Sequence, residues 1–290
     1  MKNEVYIVKA PNGYSSHTKY DSVWVRDKDW CYEISFASSP ESSIVWLWSC
    51  YSNNETAVLP VSLAGYKVEV VSDWFSEKEE FPNYPTEQST IDSIKTLIIP
   101  NTNGYMDFCF YCFQGMKGLE NVVIQEGVER RQLGTHFLNC ENLKNIIWPD
   151  SLTKIPGGFF AGCKSIKSIQ QLHLPSTVNE IGATLTYGTF EGSGLEEITI
   201  PEHIRTIKWN AFHNVPARKV TFLYKDTASN GIVNYDFEPY IFNMSGTFLG
   251  EKYTFYGYNN ATYASIKKDI MNVYDPEYGD VLPSFNYISE

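Results

Sequence analysis

The side chains able to do covalent, metal or acid–base chemistry are few, and their spacing matters more than their number. The 290 residues hold six cysteines and five histidines. Cys109 and Cys112 form a C-x-x-C pair flanked by Phe108, Phe110 and Phe113. A tetrahedral zinc site needs four ligands, and no second cysteine pair or histidine pair stands at a suitable distance along the chain, so no metal is expected. Cys31 and Cys50 fall on two strands expected near the N-terminus and could face each other as a disulfide, a matter geometry decides. His17, His136, His173, His203 and His213 are scattered and suggest no Cys/His nucleophile pair. Glu77, Glu79 and Glu80, and again Asp275, Glu277 and Asp280, lack the alternating oxygen spacing of a calcium loop and read as solvated loops. There is no glycine-rich phosphate loop, nucleophile elbow or paired-histidine helix. The expectation is a protein that is not an enzyme and takes no cofactor. Asn54, Asn243 and Asn260 begin N-x-[ST] sequons, which matter only in a secreted eukaryotic setting.

Composition narrows the partners. A hydrophobic share of 43% and an aromatic share of 15% supply ample material for a core. The formal net charge is -11, without a Lys/Arg-rich run, and a binder of phosphate backbones needs a basic footprint, so nucleic acid is not expected as a partner. No stretch approaches the roughly 18 consecutive apolar residues of a membrane span. The first eight residues lack the long apolar region of a secretory signal.

The elements that would position any site follow from a repeat. Phe113, Met116, Leu119, Val122 and Ile124 are followed in the same frame by Phe137, Cys140, Leu143, Ile146 and Trp148. The frame returns at Phe160, Cys163 and Ile166 with Leu172 and Leu174, at Phe190, Ser193, Leu195, Ile198 and Ile200, and at Phe212, Val215, Val220 and Phe222. Successive Phe positions are 22 to 24 residues apart, except for the 30 residues between Phe160 and Phe190, where extra residues near 169–171 and 184–187 lengthen the coil. Repeats of this length mark solenoids. In each copy an apolar-x-apolar pair before proline reads as a short strand. A second apolar pair, such as Leu152 and Ile155, Val178 and Ile181, or Ile204 and Ile207, carries the chain round the back. Parallel strands of successive coils lie about 4.8 Å apart, so Phe113, Phe137, Phe160, Phe190 and Phe212 should stack as one buried ladder. Cys140 and Cys163 share a repeat slot with Met116, Ser193 and Val215, and are expected as buried packing thiols.

This pattern, F-x-x-C-x-x-L-x-x-I-x-I-P-x-x-V-x-x-I, resembles the BspA-like (Treponema-pallidum-type) leucine-rich repeat of bacterial surface proteins and of some parasites and phages. The resemblance covers about residues 90 to 258, and the segment from Val58 to Val68 resembles the family's opening coil. It implies a β-rich leucine-rich-repeat solenoid with parallel strands on one face and few helices. It further implies a cell-surface or extracellular place, with a virion as the other option.

The ends of a solenoid need covering. Residues 1–52 are expected as an N-terminal β-hairpin cap around a turn at 38–43, with room for an extra strand. Residues 53–258 would be the solenoid, with an acidic insertion at about 77–88 and a long insertion at about 224–250. In the remainder, 259–290, Asn260 should cap a helix carrying Tyr263, Ile266 and Ile270 on one face, ahead of an acidic, aromatic tail. Residues 253–257 resemble the family's last strand.

The residue between the two buried positions of each strand should point outward, giving the strip Ile98, Val123, Ile147, His173, Thr199 and Thr221, flanked by Asn121, Asn145, Gln171, Glu197 and Lys219. This strip is the expected contact surface for a protein or glycan ligand in adhesion or host interaction. Tyr235, Phe237, Tyr240 and Phe242 in the long insertion form a second candidate, set against a role in covering the core. The alternative function is a structural component of a larger assembly, such as a phage virion or a cell-surface layer.

Overall fold

The computed structural model describes residues 6–8, 22–50, 52–72, 88–104, 106–109, 111–128, 134–182, 187–225, 236–237, 241–242, 252–274, 276–278 and 280–289. The chain divides into two compact units, residues 1–149 and 150–290.

The first unit begins with β1 (Tyr6–Val8), β2 (Ser22–Arg26), β3 (Trp30–Ser35) and β4 (Ile44–Cys50), an antiparallel meander. The turn at 38–43 is held by a 3-10 helix over Pro40–Ser42 and by Ser43, whose hydroxyl donates to the Ser39 carbonyl and accepts from the Ala37 N–H. The hairpin expected of the cap is β3–β4, and β2 pairs with β3 from the other side. Strand β3, which carries Cys31, is buried along its whole length and lacks the polar alternation of a half-exposed strand. Cys31 lies opposite Ser49, so the next residue, Cys50, points to the other face of the sheet. Neither cysteine forms a disulfide, and burial pushes the Cys50 thiol up to about 11.

Two parallel stacks follow. The front sheet is built from β5 (Thr56–Val58), β8 (Thr96–Ile99), β10 (Asn121–Ile124) and β11 (Asn145–Ile147), in the spatial order β11-β10-β8-β5. Between β5 and β8 run β6 (Ser62–Leu63), β7 (Tyr66–Val71) and α1 (Gln88–Ser93); β9 (Asp107–Phe108) lies between β8 and β10. The tight β6–β7 turn uses Ala64 and Gly65 at φ 51 and φ 86, the left-handed region that glycine enters without strain. Strand β7 pairs in parallel with β4 on one side and β9 on the other, so the meander extends the sheet on the rear of the coils. The expected insertion at 77–88 lies outside the described residues except for Gln88.

The second unit repeats the plan. Its rear sheet is β12 (Lys154–Ile155), β13 (Glu180–Ile181), β15 (Thr206–Ile207) and β17 (Asp236–Phe237), all parallel. Its front sheet is β14 (Ile198–Ile200), β16 (Lys219–Phe222), β18 (Thr254–Gly257) and β19 (Ser284–Tyr287), also all parallel. Between β18 and β19 lies α2 (Ala261–Asn272), which buries Thr262, Tyr263, Ile266 and Ile270. The Asn260 side chain accepts from the Tyr263 N–H at 2.9 Å, the expected N-cap, and donates to the Tyr224 carbonyl at 2.8 Å. Strand β18, read from the sequence as the last, is followed by one more.

The expected strand at Leu172–Leu174 does not form. Gln170–Leu172 make a 3-10 turn closed by His173 at φ 47. The added residues bring Ile169 into the core, and the glutamines replace ladder bonds with side-chain ones. Gln170 Nε2 donates to the Thr199 carbonyl at 3.1 Å, and the Gln171 amide meets the Lys167 N–H and the Ser165 carbonyl.

The core is aromatic and runs along each stack. Phe113 and Phe137 stack at 5.4 Å in the first unit. In the second, Phe160 and Phe190 stack at 5.3 Å, Phe190 and Phe212 at 5.6 Å, and Phe212 and Phe242 at 6.0 Å. The 30-residue coil therefore leaves the ladder unbroken. All five expected Phe residues are fully buried. A second ladder, Phe222, Phe255 and Phe285, runs behind the front sheet.

Candidate functional site

Parallel, unshifted pairing decides which outward side chains become neighbours. In the first unit Val58 is aligned with Ile98, Ile98 with Val123, and Val123 with Ile147. The alternation of the strands buries Ala57, Leu97, Val122 and Ile146 and leaves this row outward. Ile147 is 63% exposed and Val58 50%, while Ile98 and Val123 between them are half-buried. Beside the apolar row runs a polar one, Thr56, Thr96, Asn121 and Asn145. Its amides are chained: Asn145 Nδ2 donates to Asn121 Oδ1 at 2.8 Å, and Asn121 Nδ2 to Thr96 Oγ1 at 3.4 Å.

In the second unit the corresponding row is Thr199, Thr221, Tyr256 and Asn286. Thr199 and Thr221 were legible from the repeat. Tyr256 and Asn286, like Val58, were not, although the apolar frame around Tyr256 carries the same alternation. His173 is exposed, on the 3-10 turn rather than a strand. Lys219 lies over the Tyr256 ring, 5.8 Å from its centroid.

The charged flanks of both rows neutralise themselves. Lys95 pairs with Glu55, and Lys144 with Glu120 at 2.6 Å. The hydrogen bond from Lys144 and its charge hold the Glu120 carboxyl below its ordinary range, and Glu55 raises the Lys95 ammonium in the same way. In the second unit Lys167 pairs with Glu196 at 3.2 Å and Lys219 with Glu197 at 3.0 Å. Exposed pairs of this kind add little stability. Their effect here is to leave the front rows with small net charge in a chain whose total is -11.

The second candidate is only partly placed. Tyr235 and Tyr240 lie outside the described residues. Phe237 belongs to β17, whose backbone pairs with β15. Phe242 is buried as the end rung beyond Phe212, a packing role.

The thiols are occupied by packing. Cys140 and Cys163 are fully buried, and Cys140 Sγ donates to the Phe113 carbonyl at 3.0 Å. Burial pushes the Cys140 thiol up to about 12. Cys112 Sγ donates to the carbonyls of Cys109 and Val71, at 2.7 and 3.2 Å. His213 Nδ1 meets Glu191 Oε1 at 3.1 Å, and burial lowers the pKa of His203. Among the described residues no three His, Cys, Asp or Glu side chains gather as metal ligands, and no helix is long and apolar enough to cross a membrane.

No curated protein matches the chain by sequence. Among solved structures it is similar to the Treponema pallidum leucine-rich repeat protein, at 15% identity and a TM-score of 0.38, over 88% of this chain and 98% of that one. A leucine-rich cell surface protein of Faecalibacterium prausnitzii is 17% identical with a TM-score of 0.39, over 74% of this chain and 55% of its own. A leucine-rich repeat protein of Bacteroides ovatus is 14% identical with a TM-score of 0.37, over 77% of this chain and 69% of its own. The model of the BspA type leucine-rich repeat region matches in six copies across residues 88–218 and 183–276. With the stacked coils, the Phe ladder and this match in agreement, the chain belongs to the BspA-type leucine-rich repeat family.

Proposed function

We propose that this chain is a non-catalytic binding module whose front rows recognise a protein or glycan in adhesion or host contact. The observation that carries this reading is the alignment of Val58, Ile98, Val123 and Ile147 into one outward apolar row. Contiguous exposed apolar side chains on a regular scaffold mark contact surfaces. The self-neutralised flanks favour a ligand with little net charge, and the Asn/Thr row offers hydrogen bonds beside the apolar one. Thr199, Thr221, Tyr256 and Asn286 would give the second unit a row of its own with hydroxyl, amide and aromatic groups, and His173 of the same unit would add an imidazole. In this reading residues 1–52 and 259–290 are caps and 53–258 present the surface. The family's repeat is a scaffold without catalytic machinery, which supports a binding role over an enzymatic one.

The test is binding of the purified chain to a glycan array and to cultured epithelial cells, beside the triple variant Ile98→Asp, Val123→Asp, Ile147→Asp. The side chains changed are outward, so circular dichroism should be unchanged while binding is lost. Undiminished binding by a folded variant would remove the row from the ligand site. A second reading, a subunit of a larger assembly, is favoured by a different observation: the side chains of Val281 and Leu282 just before β19, and of Tyr287 within it, are exposed.

A further inference from the structure

The last strand of the second unit's front sheet is an edge with features that most edges lack. Ser284 N–H donates to the Tyr253 carbonyl and Ile288 N–H to the Gly257 carbonyl. The even-numbered residues of β19 therefore face β18, and in a parallel ladder the backbone groups of Phe285 and Tyr287 point the other way. No described residue meets them. Edge strands are ordinarily blunted by charge, by proline within the strand or by a covering segment. Residues 281–288 (VLPSFNYI) contain no charged side chain, and the one proline precedes the strand. Leu282 is 58% exposed, Tyr287 57% and Val281 37%.

The side chains point to the occupant. Phe285 continues the ladder of Phe222 and Phe255, stacking on Phe255 at 5.5 Å, and Tyr287 meets Tyr263 edge-on at 6.0 Å. Lys267 of α2 lies over both rings, 5.3 and 5.5 Å from their centroids. Among the described residues no ring stacks on Phe285 from the side away from Phe255. An antiparallel partner strand related by a two-fold axis through Asn286 would supply one. Phe285 would then exchange both backbone hydrogen bonds with Tyr287 of the second copy, and Tyr287 with Phe285. The two aromatic pairs would stand directly across the strands, where such pairs stabilise a sheet. The arrangement is isologous and closes at two. Among the other front-sheet edges, β5 makes a poor partner for β19: it follows exposed Asn53, Asn54 and Glu55, and Glu55 is ion-paired with Lys95. Repulsion between two copies of a chain of net charge -11 is lowered where they meet through a segment without charged side chains, and residues 281–288 are such a segment.

We propose that this protein forms a two-fold dimer by antiparallel pairing of the β19 edges, with Phe285 against Tyr287 of the second copy. This goes beyond the ligand-binding reading and does not depend on it. The dimer joins the row ending in Tyr256 and Asn286 to the same row of the second copy.

The test is light scattering after size exclusion over a concentration series of the full chain. The result expected is a mass rising to twice the 33.1 kDa of the chain. Tyr287→Pro removes an outward N–H and no bond to β18, a change that edge strands tolerate; it should give a monomer with an unchanged circular dichroism spectrum. Asn286→Cys tests the axis independently. The two Asn286 positions would form a non-hydrogen-bonded pair with Cα atoms about 4.5 Å apart, within the range a disulfide spans. Mild oxidation should give a covalent dimer from this variant and none from the wild-type chain with its own six cysteines. A wild-type monomer at every concentration overturns the proposal. So does an oligomer that persists in folded Tyr287→Pro, or a dimeric Asn286→Cys protein that does not cross-link.

Discussion

Phe190 lies between Phe160 and Phe212 with centroid separations of 5.3 and 5.6 Å, and no part of its side chain reaches solvent. Phe190→Ala leaves both neighbours facing a void and should cost about 3–5 kcal/mol, measured by urea denaturation. Cys140 makes the complementary prediction. Its thiol is fully buried and pushed up to about 12, so it should resist alkylation in the native protein at pH 8 and react only on unfolding, as peptide mapping would show. Both residues were legible in the sequence because the repeat places a residue type in a slot, and the slot has one environment. His173 was not legible in the same way. The frame puts it between two leucines, but Ile169 takes a core position of its own and turns the chain into a 3-10 helix before the strand can form. A repeat predicts environments only where the number of residues per coil is kept.

Between elements, the close approach of successive coils is set by small residues. A Cβ at Gly194 would stand 1.9 Å from the Lys164 carbonyl oxygen, and one at Gly118 would stand 1.8 Å from that of Asp92. Neither contact can be relieved by rotating a side chain, so Gly194→Ala should lower the melting temperature by forcing two coils apart. At the helix, Asn260→Ala should cost about 1 kcal/mol for the lost cap, and somewhat more because the Tyr224 carbonyl loses its donor as well, again read by denaturation. Asn260 also begins a sequon, but its amide already serves both contacts. Expressed in a secretory eukaryotic host, the chain should carry glycan at exposed Asn54 and none at Asn260, as mass spectrometry of the peptides would show. The helix and its buried face were readable from Asn260 and the spacing of Tyr263, Ile266 and Ile270. Strands β5 and β19 were not. The first is three residues long, and the second sits in an acidic, proline-containing tail that hides its own alternation of Ser284, Phe285, Asn286 and Tyr287.

For the whole molecule, the total charge and the charge of the candidate surface are separate quantities. The chain is acidic, yet the lysines beside the front rows are matched by glutamates from the adjoining coil. Binding through those rows should therefore change little when ionic strength is raised several-fold, whereas a steered electrostatic encounter would weaken steeply; titrations at two salt concentrations distinguish them. The Phe ladder of the second unit has a further, mechanical consequence. Each rung touches only its neighbours, so tension applied along the stack should peel the unit coil by coil. The 22 residues from Phe190 to Phe212 would release about 75 Å of chain and the 30 from Phe160 to Phe190 about 100 Å. A tethered molecule would thus yield to shear in unequal steps, lengthening and dissipating load at each one, with the overlong coil giving the longest.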